Sequence, residues 1–141
     1  MIPAIESSPF IRDPLWRVSA YRLAHSAIEL AWTDVRTIAG IRPLTSLSDQ
    51  LYRSVASIAA NLAEGFSRGS PLDRARFYEY SLGSAREALV WYEAARHGLT
   101  DAVVVDRMDR LSQIRGLVLV MVCQQGRLGH DRRPGKRSCP R

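Results

Sequence analysis

The seven prolines and nine glycines of this chain are unevenly spread. They gather toward the two ends and at three internal breaks, residues 40–43, 67–71 and 97–100. Between the breaks run long segments free of proline and poor in glycine. Proline inside a helix removes a backbone donor and clashes with the preceding turn, so this distribution leaves room for four long helices and little else. Breaks this short make successive helices antiparallel neighbours. The expected fold is all-α, an antiparallel up-down-up-down four-helix bundle over residues 14–128. A flexible arm at 1–13 and a basic disordered tail at 129–141 are expected to flank it. With 141 residues the chain is one domain by size and can bury a core without disulfides.

Residues 54–70 are the most patterned part. At about 100° per residue the surrounding helix sorts into three stripes. Leu47, Leu51, Val55, Ile58, Leu62 and Phe66 form an apolar one. Ala56, Ala59, Ala60 and Ala63 form one almost without side-chain bulk. Gln50, Arg53, Ser57, Asn61, Glu64 and Arg68 form a polar one. A surface helix needs only a buried and a wet face. The alanine stripe is therefore expected to receive a neighbouring helix at close range.

The helix limits follow from capping chemistry. Asp13 before Pro14 suits the start of the first helix, whose core line reads Val18, Tyr21, His25, Ile28, Trp32, Val35 and Ala39. Ser46 with Asp49 opens the second, and Ser70 with Asp73 opens the third. The third places Phe77, Ser81, Ser84, Ala88, Trp91, Ala95 and Leu99 on one line, with Tyr92 beside it. Its small middle is expected to meet the alanine stripe. A second line, Tyr78, Leu82, Ala85 and Leu89, is surplus to one bundle core and is assigned to a subunit contact. Gly98 ends the third helix and Thr100 caps the fourth. The fourth carries Val104, Met108, Leu111, Arg115, Val118 and Val122, and frays near Gln125 and Gly126.

The formal net charge is +6. Lys136 is the sole lysine, so every other basic residue is arginine, the side chain best shaped for phosphate. Most of the excess lies in the tail, on Arg132, Arg133, Lys136, Arg137 and Arg141, so the body is close to neutral. Cys123 and Cys139 do not resemble a disulfide framework. No signal-peptide pattern opens the chain, and the longest apolar run, 117–123, is too short for a bilayer. A cytoplasmic protein with no membrane partner is expected.

Catalytic and metal signatures are lacking. There is no Cys-x-x-Cys, His-Glu-x-x-His, paired Glu-x-x-His or glycine-rich phosphate loop in the sequence. His25 with Glu29 one turn on lacks further ligands and reads as a hydrogen-bonded core or interface histidine. The chain is therefore read as non-enzymatic, with no cofactor. The polar stripe is the remaining candidate: Asn61 and Glu64 beside the alanines, and Arg53 placed to reach Glu87, as a network setting register or subunit pairing. A solvated face is the alternative.

Residues 57–66, Ser-Ile-Ala-Ala-Asn-Leu-Ala-Glu-Gly-Phe, resemble the Ser-Ile-Pro-Ala-Asn-Ile-Ala-Glu-Gly segment of the bacterial four-helix bundle proteins known as 23S rRNA intervening-sequence proteins. Leu82, Gly83, Ser84 and Glu87 are similar to that family's Leu-Gly-Ser-x-x-Glu. Phe77 and the Leu99-Thr100-Asp101 junction also match. Ala59 stands in place of the family's proline, Tyr21 where the family often has tryptophan, and the basic tail is an addition. The resemblance spans roughly residues 15–125. It implies a four-helix bundle assembling as a homopentamer, with Asn61, Glu64, Gly65, Gly83, Ser84 and Glu87 as structural or interface positions, to which the polar stripe adds Arg53. It also implies likeness to the accessory protein of diversity-generating retroelements, a pentamer that engages a reverse transcriptase and nucleic acid. Two expectations follow. One is an RNA-associated oligomer using Arg68, Arg132, Arg133, Lys136 and Arg137. The other is an adaptor that docks a reverse transcriptase.

Overall fold

A computed structural model of the chain describes residues 9–131. Residues 1–8 of the expected arm, and Arg132, Arg133, Lys136 and Arg137 of the expected tail, lie outside the described residues. Four α-helices account for most of the remainder: α1 (Ser19–Ile38), α2 (Thr45–Phe66), α3 (Pro71–Ala95) and α4 (Asp101–Asp131). No strand occurs among the described residues. Short 3-10 turns at Pro9–Arg12 and Pro14–Arg17 precede α1, and a third, Arg42–Leu44, precedes α2.

Asp13 caps as expected, its Oδ1 accepting the Leu15 amide at 2.8 Å, but it opens a 3-10 turn and the α-helix begins only at Ser19. The expected Ser46 cap is not used. Arg42–Leu44 turns directly into α2, and the Thr45 hydroxyl donates back to the Ala39 carbonyl at 2.9 Å, closing the corner. Ser70 Oγ accepts from the Asp73 amide at 3.1 Å and Thr100 Oγ1 from the Val103 amide at 3.3 Å. α4 does not fray at Gln125. It continues to Asp131, because Gly129 is buried against the Leu72 side chain. So 129–131, assigned to the tail, are helical. Cys123 is disulfide-bonded, although its sequence context does not suggest a disulfide framework, and Cys139 lies outside the described residues.

α2 and α3 run antiparallel along their contact, with Gly65 beside Tyr78 and Ser57 beside Ser84. Trp32 meets Tyr52 edge to face at 5.7 Å. Leu72 meets Gly129 at one end of the α3–α4 pair.

The core of α2 is the expected Leu51, Val55, Ile58 and Leu62. α1 is rotated from its expected face. It buries Ala20, Tyr21, Ala24, Ala27, Ala31, Val35 and Ile38, while Trp32 is half-exposed and Ala39 exposed. Alanines leave the least bulk between backbones, so α1 turns them inward and sends its indole to the rim. In α3, Tyr78, Leu82 and Ala85 are buried in the same core as Ala88, Tyr92 and Ala95. The line assigned to a subunit contact is thus interior. On α4, Arg115 is exposed and Ile114 takes the core position. The alanine stripe of α2 does not supply the α3 contact either. Ala59 is buried but Ala60 is exposed, and the α3 contact falls on Ser57, Ile58 and Gly65.

Candidate functional site: the α2–α3 seam and a buried ion pair

One member of the expected polar stripe, Ser57, lies at the seam between α2 and α3, and a second, Asn61, is bonded to it. Asn61 Nδ2 donates to the Ser57 carbonyl at 2.9 Å and to Ser57 Oγ at 3.0 Å. Ser84 Oγ lies 2.9 Å from Ser57 Oγ and 3.0 Å from the Tyr80 carbonyl. One turn deeper, the buried Ser81 hydroxyl donates to the Ile58 carbonyl at 2.9 Å. The small middle of α3 therefore does meet α2, through hydroxyls. Gly65 is buried because a Cβ there would stand 2.6 Å from the Tyr78 ring. Gly83 is different: it is exposed, with nothing within 4 Å of where its Cβ would be.

Arg53 and Glu87 do not meet. The Glu87 carboxylate instead accepts from the Trp91 indole at 3.1 Å, one turn along its own helix, and Arg53 is exposed. Glu64 pairs with Arg68 on the surface of α2. Beyond that pair the chain turns at an elbow into α3, where side chains stack. The Arg68 guanidinium lies 4.6 Å over the Phe77 ring. Arg76 sits 5.6 Å from the Tyr80 ring centroid and donates from Nε to its hydroxyl at 2.8 Å. Arg74 Nε donates to the Arg68 carbonyl at 2.6 Å, satisfying an acceptor beyond the end of α2.

His25, expected as a hydrogen-bonded core or interface histidine, has aromatic surroundings. Its ring stands among Phe10, Trp16 and Tyr21, with centroids 5.5, 5.4 and 6.2 Å away. Its Nδ1 is buried without a hydrogen-bond partner among the described residues. Glu29 is exposed. Among the described residues no group of three or more His, Cys, Asp or Glu is placed to hold a metal ion.

Sequence reasoning missed a second polar centre. Asp34 of α1 is buried, yet its carboxylate is fully engaged. Oδ2 accepts from the Tyr92 hydroxyl at 2.8 Å and from Arg107 Nε at 2.7 Å, and Oδ1 accepts from Arg107 Nη2 at 3.2 Å. Asp106 extends the chain outward, accepting from Arg107 Nη1 at 2.6 Å and from Arg110 Nε at 2.8 Å. Burial, reinforced by the Asp34 carboxylate, pushes the Tyr92 phenol up. The hydrogen bond to Asp34 raises Arg107 further into its charged form, and those from Arg110 and Arg107 hold the exposed Asp106 carboxyl low. A carboxylate with its lone pairs committed in this way is a structural tie between three helices. The available signal was position: Asp34 falls on the line Ala27, Ala31, Ile38, where an acid must find a partner.

No helix among the described residues is long and apolar enough to cross a membrane. A family profile described as 23S rRNA-intervening sequence protein matches residues 21–114. The fold is similar to a crystal structure of a protein of unknown function from the S23 ribosomal protein family of Bacteroides thetaiotaomicron. The two share a TM-score of 0.68 and 18% identity over 73% of this chain and 97% of that one. Curated proteins yield no match.

Proposed function

The chain belongs to the 23S rRNA-intervening sequence protein family, and on that premise we propose that it is a non-enzymatic scaffold that assembles as a homopentamer and associates with RNA. The observation that carries this is the set of large apolar side chains that α3 and α4 leave exposed. Val90 is 61% and Val105 57% exposed, and Leu119 and Val120 stand out on the same helix as Val105. Gly83 and Gly116 lie exposed inside these helices with open space above them. A glycine in a helix interior costs about 0.5–1 kcal/mol relative to alanine. Among the described residues nothing uses the space it leaves, and the backbone of another copy would fit there. Each of these side chains would gain from being covered, and another copy would cover them.

Sedimentation velocity on the full chain tests the assembly. A pentamer is expected at micromolar concentration, and a monomer there overturns it. The RNA association is tested by titrating labelled RNA across a salt series with the full chain and with a chain ending at Asp131. That end point keeps the Gly129–Leu72 contact. A phosphate-driven mode gives steep salt dependence and weaker binding without Arg132, Arg133, Lys136 and Arg137.

A further inference from the structure

Two stacked pairs stand side by side where α2 turns into α3. Arg68 covers the Phe77 ring at 4.6 Å. One helical turn on, Arg76 lies against Tyr80 and is pinned there by the hydrogen bond to its hydroxyl. The two rings meet edge to face at 5.6 Å. Tyr80 is 46% exposed, so the stack is not sealed by the fold. Arg74, tied to the Arg68 carbonyl, brings a third guanidinium to the same elbow.

From this arrangement we infer that the elbow is a base-stacking platform for single-stranded RNA, with Tyr80 and Arg76 as its outer step and Phe77 and Arg68 as its inner one. The inference rests on the RNA-associated reading above and gives it a location. Unpaired bases stack on aromatic rings and on guanidinium planes, and guanidinium edges also take phosphate oxygens in two parallel hydrogen bonds. An acidic peptide would use the charges but leave the ring faces idle. A duplex would offer phosphates but keep its base faces inside its own stack. Pairing with the rings also holds both arginines in fixed planes, so less side-chain freedom is lost when a base lands.

The test is fluorescence anisotropy with the full chain, a fluorescein-labelled unstructured uridine-rich 20-mer RNA, and an RNA duplex of the same length. Tyr80→Leu keeps bulk and removes the ring, and Arg76→Gln keeps the reach and removes the charge. Both are surface changes whose folding is checked by circular dichroism. Tyr80→Leu is expected to weaken single-strand binding by about tenfold. Arg76→Gln is expected to weaken it and lower the salt slope by about one, and the duplex to bind at least about tenfold more weakly than the single strand. If the unchanged protein binds and both variants bind equally well, the platform is refuted while the RNA reading stands. Equal affinity for duplex and single strand refutes stacking in the same way. If the full chain binds neither RNA, the RNA reading falls and the platform with it.

Discussion

Asp34 and Arg107, 73 residues apart in sequence, close two hydrogen bonds of 2.7 and 3.2 Å across the interior between α1 and α4. Removing one partner strands the other without its counter-charge. Asp34→Ala should therefore cost about 3 kcal/mol, read as a lowered urea midpoint. The double variant Asp34→Leu/Arg107→Met leaves no unpaired buried charge, only the Tyr92 hydroxyl without its acceptor, and should lose clearly less than the two single changes added together. Strict additivity would show that the pair is uncoupled.

Tyr92 gives the same centre an alkaline signature. Its pKa is raised in the fold, by burial first and by the Asp34 carboxylate second. A raised group stabilises fully below its unfolded value and loses that contribution as pH climbs toward the folded one. The loss should begin near pH ~10, the ordinary tyrosine value. Tyr92→Phe should cost about 1–2 kcal/mol at neutral pH and flatten the decline above pH ~10. An unchanged alkaline limb in the phenylalanine variant would contradict this.

Asp106 supplies the opposite sign. The hydrogen bonds from Arg110 and Arg107 lower its carboxyl, so its contribution is present above the ordinary carboxylate range and is lost as pH falls through the folded value. Asp106→Asn should make the unfolding midpoint less sensitive to pH below about 4. Titrating thermal midpoints from pH 2 to 6 checks it.

Three glycines should respond differently to one methyl group. Gly65→Ala puts a Cβ 2.6 Å from the Tyr78 ring and 3.1 Å from Phe77 Cβ, an overpacking expected to cost about 1–3 kcal/mol. Gly83→Ala and Gly116→Ala meet open space and should stabilise each helix by about 0.5–1 kcal/mol. If another copy lies close there, Gly83→Leu should weaken assembly in sedimentation without lowering helix content.

Hydrophobic period was legible wherever it was carried by large side chains. Leu51, Val55, Ile58 and Leu62 announced the buried face of α2 and are buried. α1 was read with the wrong rotation for the same reason. Trp32 and Ile28 outweigh alanines in any reading by bulk, yet the alanines Ala24, Ala27 and Ala31 are what the neighbouring helices cover. The serine and asparagine of the seam were readable as a network, because Ser57 and Asn61 lie one turn apart and Ser84 belongs to the opposing small stretch. The Arg53–Glu87 pair was not, since a nearer donor, the Trp91 indole, engages the carboxylate within the same helix. Asp34 escaped for a linked reason, since its place on the line Ala27, Ala31 and Ile38 counts only once the rotation of α1 is right. An acid on a helix looks like a surface residue until its partner is known, and Arg107 stands 73 positions away.

Gly129, lying bare against Leu72, holds the last turn of α4 to the first turn of α3. Asp131, two residues further on, is thereby held near the elbow where Arg68, Arg74 and Arg76 gather. The far end of the last helix and the turn between the second and third are thus one packed body, and a side chain at position 129 would prise them apart.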